Sequence, residues 1–158
     1  MTRIDLDNMD SVQFDVLKEL GNIGAGNATT ALAKLINAKI DMKVPKVELL
    51  GFSDIAKVMG SEETVMVGIL LMLEGDVNGM MMFLLEVESA RNLVGKLMGI
   101  ETNSDDEGKE FDSIQLSALN EIGNIITGAY LSALSDLTRL KIISSVPSLQ
   151  IDMAAAIL

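Results

Sequence analysis

The sequence contains no cysteine and no histidine. The first absence excludes a disulfide framework, a thiolate nucleophile and a cysteine zinc site. The second removes Ser-His-Asp and Cys-His arrangements and nearly all transition-metal sites. Aromatics are scarce, four Phe and Tyr130 with no Trp, too few for a base-stacking platform. Positive charge is scarce too: 12 Lys and Arg face 23 Asp and Glu, a net charge of −11. Such a surface repels nucleic-acid phosphates and anionic lipid. The longest apolar runs, Met66–Leu73 and Met80–Leu85, fall far short of the ~20 residues that span a bilayer. The N-terminal residues Met1–Asp7 have no basic flank leading into an apolar core, so no signal peptide is read there. A soluble, cytoplasmic protein is expected. Any catalysis rests on Asp, Glu, Asn, Ser, Thr, Lys, Arg or Tyr130, or on groups that a partner supplies.

What is present fits one folded domain over residues 1–158. Hydrophobic residues make up 49%, and Gly and Pro together number only 15, which is neither a disordered nor a fibrous composition. A chain of this length buries roughly 68–70% of its unfolded surface without staples. Eleven Met read as a soft, adaptable core, with a binding surface as the alternative.

An internal repeat organises the chain at an offset of 102 residues. Asp10-Ser11-x-Gln13 returns as Asp112-Ser113-x-Gln115. Leu17-x-Glu19-x-Gly21-Asn22-Ile23 returns as Leu119-x-Glu121-x-Gly123-Asn124-Ile125. Val44-Pro45 returns as Val146-Pro147. Over positions 10–45, 16 of 36 residues are identical. This is two copies of one unit, related by a pseudo-two-fold axis. The first spans 10–100, an acidic linker spans 101–110, and a partial second copy spans 112–158.

The apolar periods predict long helices over 11–36 and 113–138. Short strands are expected at Lys39–Val44 and Lys141–Ser145, each followed by a bend at Pro45 or Pro147. Phe52–Met59 reads as a short helix capped by Ser53. Val65–Leu73 and Asn78–Glu86 read as a hairpin turning at Glu74-Gly75-Asp76. Ser89–Met98 reads as a helix ending at Gly99. The last stretch, Leu149–Leu158, reads as a helix opening at Ser148. The second copy reaches only the equivalent of residue 56, because 158 − 102 = 56. The favoured reading is a piece of a longer chain, and the alternative is completion by another chain.

On a wheel of 100° per residue, Asp15, Glu19 and Asn22 form one stripe of the first helix, away from Leu17, Leu20, Gly24, Ala31 and Leu35. The second helix repeats this with Ser117, Glu121 and Asn124, away from Leu119, Ile122, Ile126 and Ala133. A glycine inside a helix costs about 1 kcal/mol relative to Ala. The Gly21-Asn22 and Gly123-Asn124 pairs are therefore locally unfavourable. Two explanations stand open: close approach of another protein's backbone, or helix–helix packing, which is also expected of Gly24, Gly26 and Gly128. A carboxamide near neutral pH orients water but is no base. Water orientation matters in phosphoryl transfer, where catalysis is mostly positioning and electrostatics. A helix-borne carboxylate one turn away could anchor to a lysine of the substrate protein.

Asp15-x3-Glu19-x2-Asn22-x22-Pro45 and Ser117-x3-Glu121-x2-Asn124-x22-Pro147 resemble the duplicated signature of the CheC/CheX/FliY chemotaxis phosphatases, and the surroundings of the first copy resemble the CheC type. The resemblance implies an α+β fold: two α-β-x-β-β-α units sharing a sheet, with the signature helices side by side. The second unit here looks truncated, since chains of this type continue about 45–50 residues further. It implies a phosphatase acting on the aspartyl phosphate of the response regulator CheY. Glu19 and Glu121 would each pair with a regulator lysine, and Asn22 and Asn124 would position the attacking water. Asp15, Ser117, Pro45 and Pro147 would support the motif. No cofactor of its own is implied, the Mg2+ belonging to the regulator. The acidic run Asp105-Asp106-Glu107 reads as a solvated charge run rather than a calcium site. CheD, the receptor deamidase, is a further implied partner, with Asp152 on the outer side of the last helix as its contact. The alternatives are a non-enzymatic adaptor for CheY or CheD and a flagellar-switch component of FliY type. The latter is disfavoured because no switch domain follows the second copy.

Overall fold

The computed structural model describes residues 10–40, 48, 50–51, 54–55, 63–100 and 108–157. Helix α1 (Ser11–Leu35) and helix α3 (Ser113–Thr138) are the two repeated helices. Both begin in the same way. Asp10 Oδ1 accepts from the Gln13 backbone N–H at 2.8 Å, and Gln13 Oε1 accepts from the Asp10 N–H at 3.0 Å. Asp112 and Gln115 repeat this at 2.8 and 2.9 Å. The repeated Asp-Ser-x-Gln is thus a reciprocal capping box, which satisfies two otherwise orphaned donors. Both helices also end alike. Asn37 and Arg139, equivalent in the repeat, have left-handed φ angles of 49° and 59°.

Strands β1 (Val65–Gly75) and β2 (Gly79–Glu86) form the expected antiparallel hairpin. Helix α2 (Val87–Met98) follows directly and stops at Gly99, whose φ of 67° is the left-handed stop expected from the sequence. The other edge of β1 pairs antiparallel with β3 (Ile142–Ser144) and β4 (Ser148–Met153), both from the second copy. The sheet therefore joins the two copies through one strand. Between the two pairings, Leu71 and Met72 of β1 face three residues, Ser145, Val146 and Pro147. This is a bulge that takes the donor-less Pro147 out of the ladder. Ser145 bridges the gap: its N–H donates to Met72 O at 2.9 Å, and its Oγ accepts from the Met72 N–H at 3.0 Å.

The stretch from Ser148 is a strand, not the helix expected from the sequence. Only Ala154–Ile157 is helical (α4). Leu149, Ile151 and Met153 alternate with Ser148, Gln150 and Asp152, which is the period of a strand. Pairing with β1 satisfies that backbone, and the alanines supply the single closing turn. The expected strand at Lys39–Val44, Pro45, the helix at Phe52–Met59 with its cap Ser53, and Glu101–Glu107 of the linker lie wholly or largely outside the described residues.

β1 organises the core because it is paired on both edges. Its Val67 is fully buried in one cluster with Ala90 and Val94 of α2, Leu119, Ile122 and Ile126 of α3, and Ala28 of α1. Fully burying such a Leu, Ile or Val side chain contributes roughly 1.5–3 kcal/mol. On the opposite face Met66 packs with Ala154 and Ile157 of α4. There Gly68 is needed, since a Cβ on it would lie 2.8 Å from Ile157 Cγ2. Helix α1 buries little of its own surface and packs mainly on α3. At their contact Gly24 faces the ring of Tyr130, where a Cβ would lie 2.6 Å from Cε2.

Two predictions follow from these contacts. Arg139 pays the cost of a left-handed backbone that Asn tolerates better, so Arg139→Asn should stabilise the protein by about 0.5–1 kcal/mol. Urea unfolding checks this as a rise in midpoint with unchanged slope. Burial raises the Tyr130 phenol above the ordinary value of 10.0. Below pH 10 the phenol is neutral in both folded and unfolded chains and costs nothing. As pH rises beyond 10 the unfolded chain ionises first, so stability falls until the folded phenol also ionises. Tyr130 is the one tyrosine of the chain and there is no Trp, so its absorbance titration is clean. It should run above that of the urea-unfolded protein, and Tyr130→Phe should remove the alkaline loss of stability.

Candidate functional site

Five of the six stripe residues are exposed, as the wheel places them, and Asn22 is the exception. Asp15 and Glu19 are exposed on α1, and Ser117, Glu121 and Asn124 are exposed on α3. Asn22 is half-buried, and its Oδ1 is shielded from solvent with no hydrogen-bond partner among the described residues. The residues behind the stripe go inward as expected, most completely on α3, where Leu119 and Ile122 are fully buried. Local bonds hold the supporting residues. Asp15 Oδ1 pairs with Lys18 Nζ at 3.5 Å, and that ammonium sits 4.7 Å from the centre of the Phe14 ring. An exposed pair of this kind adds at most about 1 kcal/mol. Ser117 Oγ donates to Ser113 O at 2.9 Å, a back-bond to the preceding turn. Pro147 sits in the bulge between β3 and β4, and Pro45 lies outside the described residues.

Asp152 is exposed, but on strand β4 rather than on a helix. It stands opposite Met66, and its Oδ1 accepts from the Met153 N–H at 2.7 Å. It belongs to the edge of the sheet and not to the faces of α1 and α3.

The structure separates the glycines. Gly123, beside Asn124, is buried, and a Cβ there would lie 2.7 Å from Ile69 Cγ2. Ile69 is fully buried in β1, so this glycine seats α3 on the sheet and does not admit a partner. Gly24 serves packing against Tyr130, as expected. Gly26 and Gly128 do not: a Cβ at either would meet no atom within 4 Å among the described residues.

The stripe is longer than the motif. Val12 and Ile114, equivalent in the repeat, are 69% and 64% exposed. Val12, Asp15, Glu19, Asn22 and Gly26 follow one another at steps of three and four, as do Ile114, Ser117, Glu121, Asn124 and Gly128. Each set is one line along a helix, about 21 Å long at 1.5 Å per residue. The signal for Val12 and Ile114 was in the sequence, as apolar residues on the polar side of the wheel. An open groove of about 520 Å³ lies elsewhere, at the C-terminal end of α1, lined by Thr29, Thr30, Lys34 and Asn37 among others. Of the signature residues on the two helices, all but Asn22 are exposed. Among the described residues no group of three or more acidic side chains is placed to hold a metal ion.

Comparison with known proteins agrees with this geometry. The model of the CheC-like family matches residues 12–49 and 114–151, two segments separated by the offset of the internal repeat. Over 146 residues the chain is 41% identical to the CheY-P phosphatase CheC of Bacillus subtilis, covering 92% of this chain and 69% of that protein. Its fold matches FliY of Thermotoga maritima with a TM-score of 0.76 at 24% identity, covering 90% of this chain and 70% of that one. It also matches a chain of the CheX–CheY–BeF3–Mg complex of Borrelia burgdorferi with a TM-score of 0.57 at 20% identity, covering 80% and 72%. With its duplicated helices, its shared sheet and this degree of identity, the chain belongs to the CheC-like family.

Proposed function

We propose that this protein hydrolyses the aspartyl phosphate of the response regulator CheY. The observation that carries the reading is the pair of matched Glu-x-x-Asn stripes on two packed helices, Glu19 with Asn22 and Glu121 with Asn124, all exposed except the half-buried Asn22. The relative in Bacillus subtilis, 41% identical, bears the name CheY-P phosphatase, which supports the same reaction here.

Water attacks phosphorus, the bond from phosphorus to the aspartyl oxygen breaks, and the products are a free carboxylate and inorganic phosphate. Such a step needs positioning and charge stabilisation more than a strong base. That suits a chain without histidine. The Asn22 or Asn124 carboxamide holds the attacking water in line with the leaving oxygen. The Glu19 or Glu121 carboxylate pairs with a lysine of the regulator and fixes the docking register. The divalent ion that neutralises the phosphoryl oxygens is the regulator's own.

The two copies should contribute unequally. Asn124 is exposed, whereas the Asn22 oxygen is shielded and must come free before it can hold a water. Asn124→Ala should therefore remove the larger share of activity, and Asn22→Ala the smaller. The double variant should lose roughly 100-fold or more in rate, the scale of a lost positioning group, while still binding. A time course of phospho-CheY decay with each variant measures this. Wild-type rates in the double variant would remove the water-positioning role. Binding of phospho-CheY without faster decay would make the protein an adaptor instead.

The anchor is electrostatic and exposed, so it should weaken as salt shortens the Debye length to ~8 Å at physiological ionic strength. Glu19→Lys with Glu121→Lys should abolish association by like-charge repulsion. Titrations of phospho-CheY at low and high salt test both statements. Equal affinities throughout would remove the carboxylates from the docking contact.

A further inference from the structure

Helix interiors disfavour glycine, so a glycine within α1 or α3 asks for a reason. Gly24 has one in the Tyr130 ring and Gly123 has one in Ile69. Gly26 and Gly128 have none among the described residues. A Cβ on either meets nothing within 4 Å among the described residues. Neither has a positive φ, since among the described glycines only Gly75, Gly99 and Gly108 do. Both lie well inside continuous helices. Packing among the described residues and backbone conformation therefore leave both glycines unexplained.

Their position supplies the reason. Each stands four residues after the signature asparagine, one turn further along the same stripe. They occupy equivalent places in the repeat, because 26 + 102 = 128. Around them the repeat has diverged: Asn27 has become Ala129, Ala28 has become Tyr130, and Ala25 has become Thr127. The glycine is kept in both copies while its neighbours on either side differ. An asparagine reaches only a few ångströms from its helix. For its carboxamide to reach a phosphoryl group seated in another protein, the two backbones must come close. A side chain one turn away on the same line would hold them apart.

We infer that Gly26 and Gly128 are specificity-determining contact residues, kept bare so that the backbone of the phosphorylated response regulator lies directly against the helix one turn beyond each asparagine. This inference rests on the proposed reaction and names how its substrate protein is seated. Val12 and Ile114 close the other end of each stripe with an exposed apolar contact. The footprint therefore runs from an apolar residue, through the carboxylate and the carboxamide, to a bare turn of helix.

The test uses the intact chain with Gly26→Ala and Gly128→Ala together, and a second pair with Gln at both positions. Ala and Gln are better helix formers than Gly. If the inference holds, the thermal midpoint rises by roughly 2–4 °C per site. At the same time KM for phospho-CheY rises roughly three- to tenfold for the Ala pair and more for the Gln pair, the scale of overpacking a close contact. A structural role would lower the midpoint, and that outcome overturns the inference. A raised midpoint with KM unchanged even in the Gln pair overturns it as well, and leaves the proposed reaction standing. Wild-type protein that neither binds phospho-CheY nor speeds its decay overturns the reaction itself, and the inference with it.

Discussion

The antiparallel pairing of β1 on both its edges is the contact on which the rest of the structure depends. On one side it holds β2, its neighbour in the chain, and on the other it holds β3 and β4 from the second copy. The two copies are thereby locked together by backbone hydrogen bonds, not only by side-chain packing. Because β1 is covered on both faces at Met66 to Ile69, its residues read as a continuous apolar run rather than an alternation. Its Ile69 meets Gly123 and fixes the height of α3 above the sheet. Helix α1 then rests on α3. The two signature stripes owe their relative placement to this sequence of contacts: strand to strand, strand to α3, and α3 to α1.

The repeat is strict where geometry requires it and loose elsewhere. The capping boxes at Asp10 and Asp112 are kept to within 0.1 Å in both bonds, and the left-handed exits at Asn37 and Arg139 are kept in backbone although not in residue type. These fix where each helix starts and stops, and hence which side chains point outward. The packed side has diverged. Gly24 corresponds to Ile126, and Tyr130 to Ala28. Where one copy carries the large residue the other carries the small one, so the helices fit closely although neither copy is symmetric by itself. A two-fold contact must meet its own equivalent, and such paired divergence preserves the close fit without identical side chains.

Much of this was legible in the sequence. The repeat, both long helices, the hairpin with its turn at Gly75, the stop at Gly99 and the outward stripe of Glu and Asn all follow from residue period and type. The last stretch was misread because Ala154-Ala155-Ala156 signals helix strongly, while the alternation Leu149, Ile151, Met153 is short and half exposed. Its strand state depends on the free edge of β1, about 80 residues earlier in the chain, and no local pattern carries that. The packing role expected of Gly26 and Gly128 was misread for a related reason. Gly123 and Gly128 look alike in sequence. One faces Ile69 and the other faces open space, and only the position of the sheet distinguishes them.

The site has an economy that follows from its chemistry. In the proposed reaction the regulator supplies the phosphoryl group, the ion and the lysine, so this chain has to deliver only a carboxylate and a carboxamide at fixed spacing. A long helix does that better than a loop, since its side chains project from a rigid axis. Adjacent groups three residues apart, Glu19 with Asn22 and Glu121 with Asn124, share one face without any further device. A pocket would be a hindrance here, because the substrate is another folded protein whose own active site must close over the delivered group. Glu19, Glu121 and Asn124 accordingly stand exposed on helix surfaces, away from the groove at the end of α1. In the proposed docking, the same constraint would account for the glycines on that line. A helix that inserts two side chains into another protein has to be narrow where the backbones meet, and some intrinsic helix stability is given up for that narrowness.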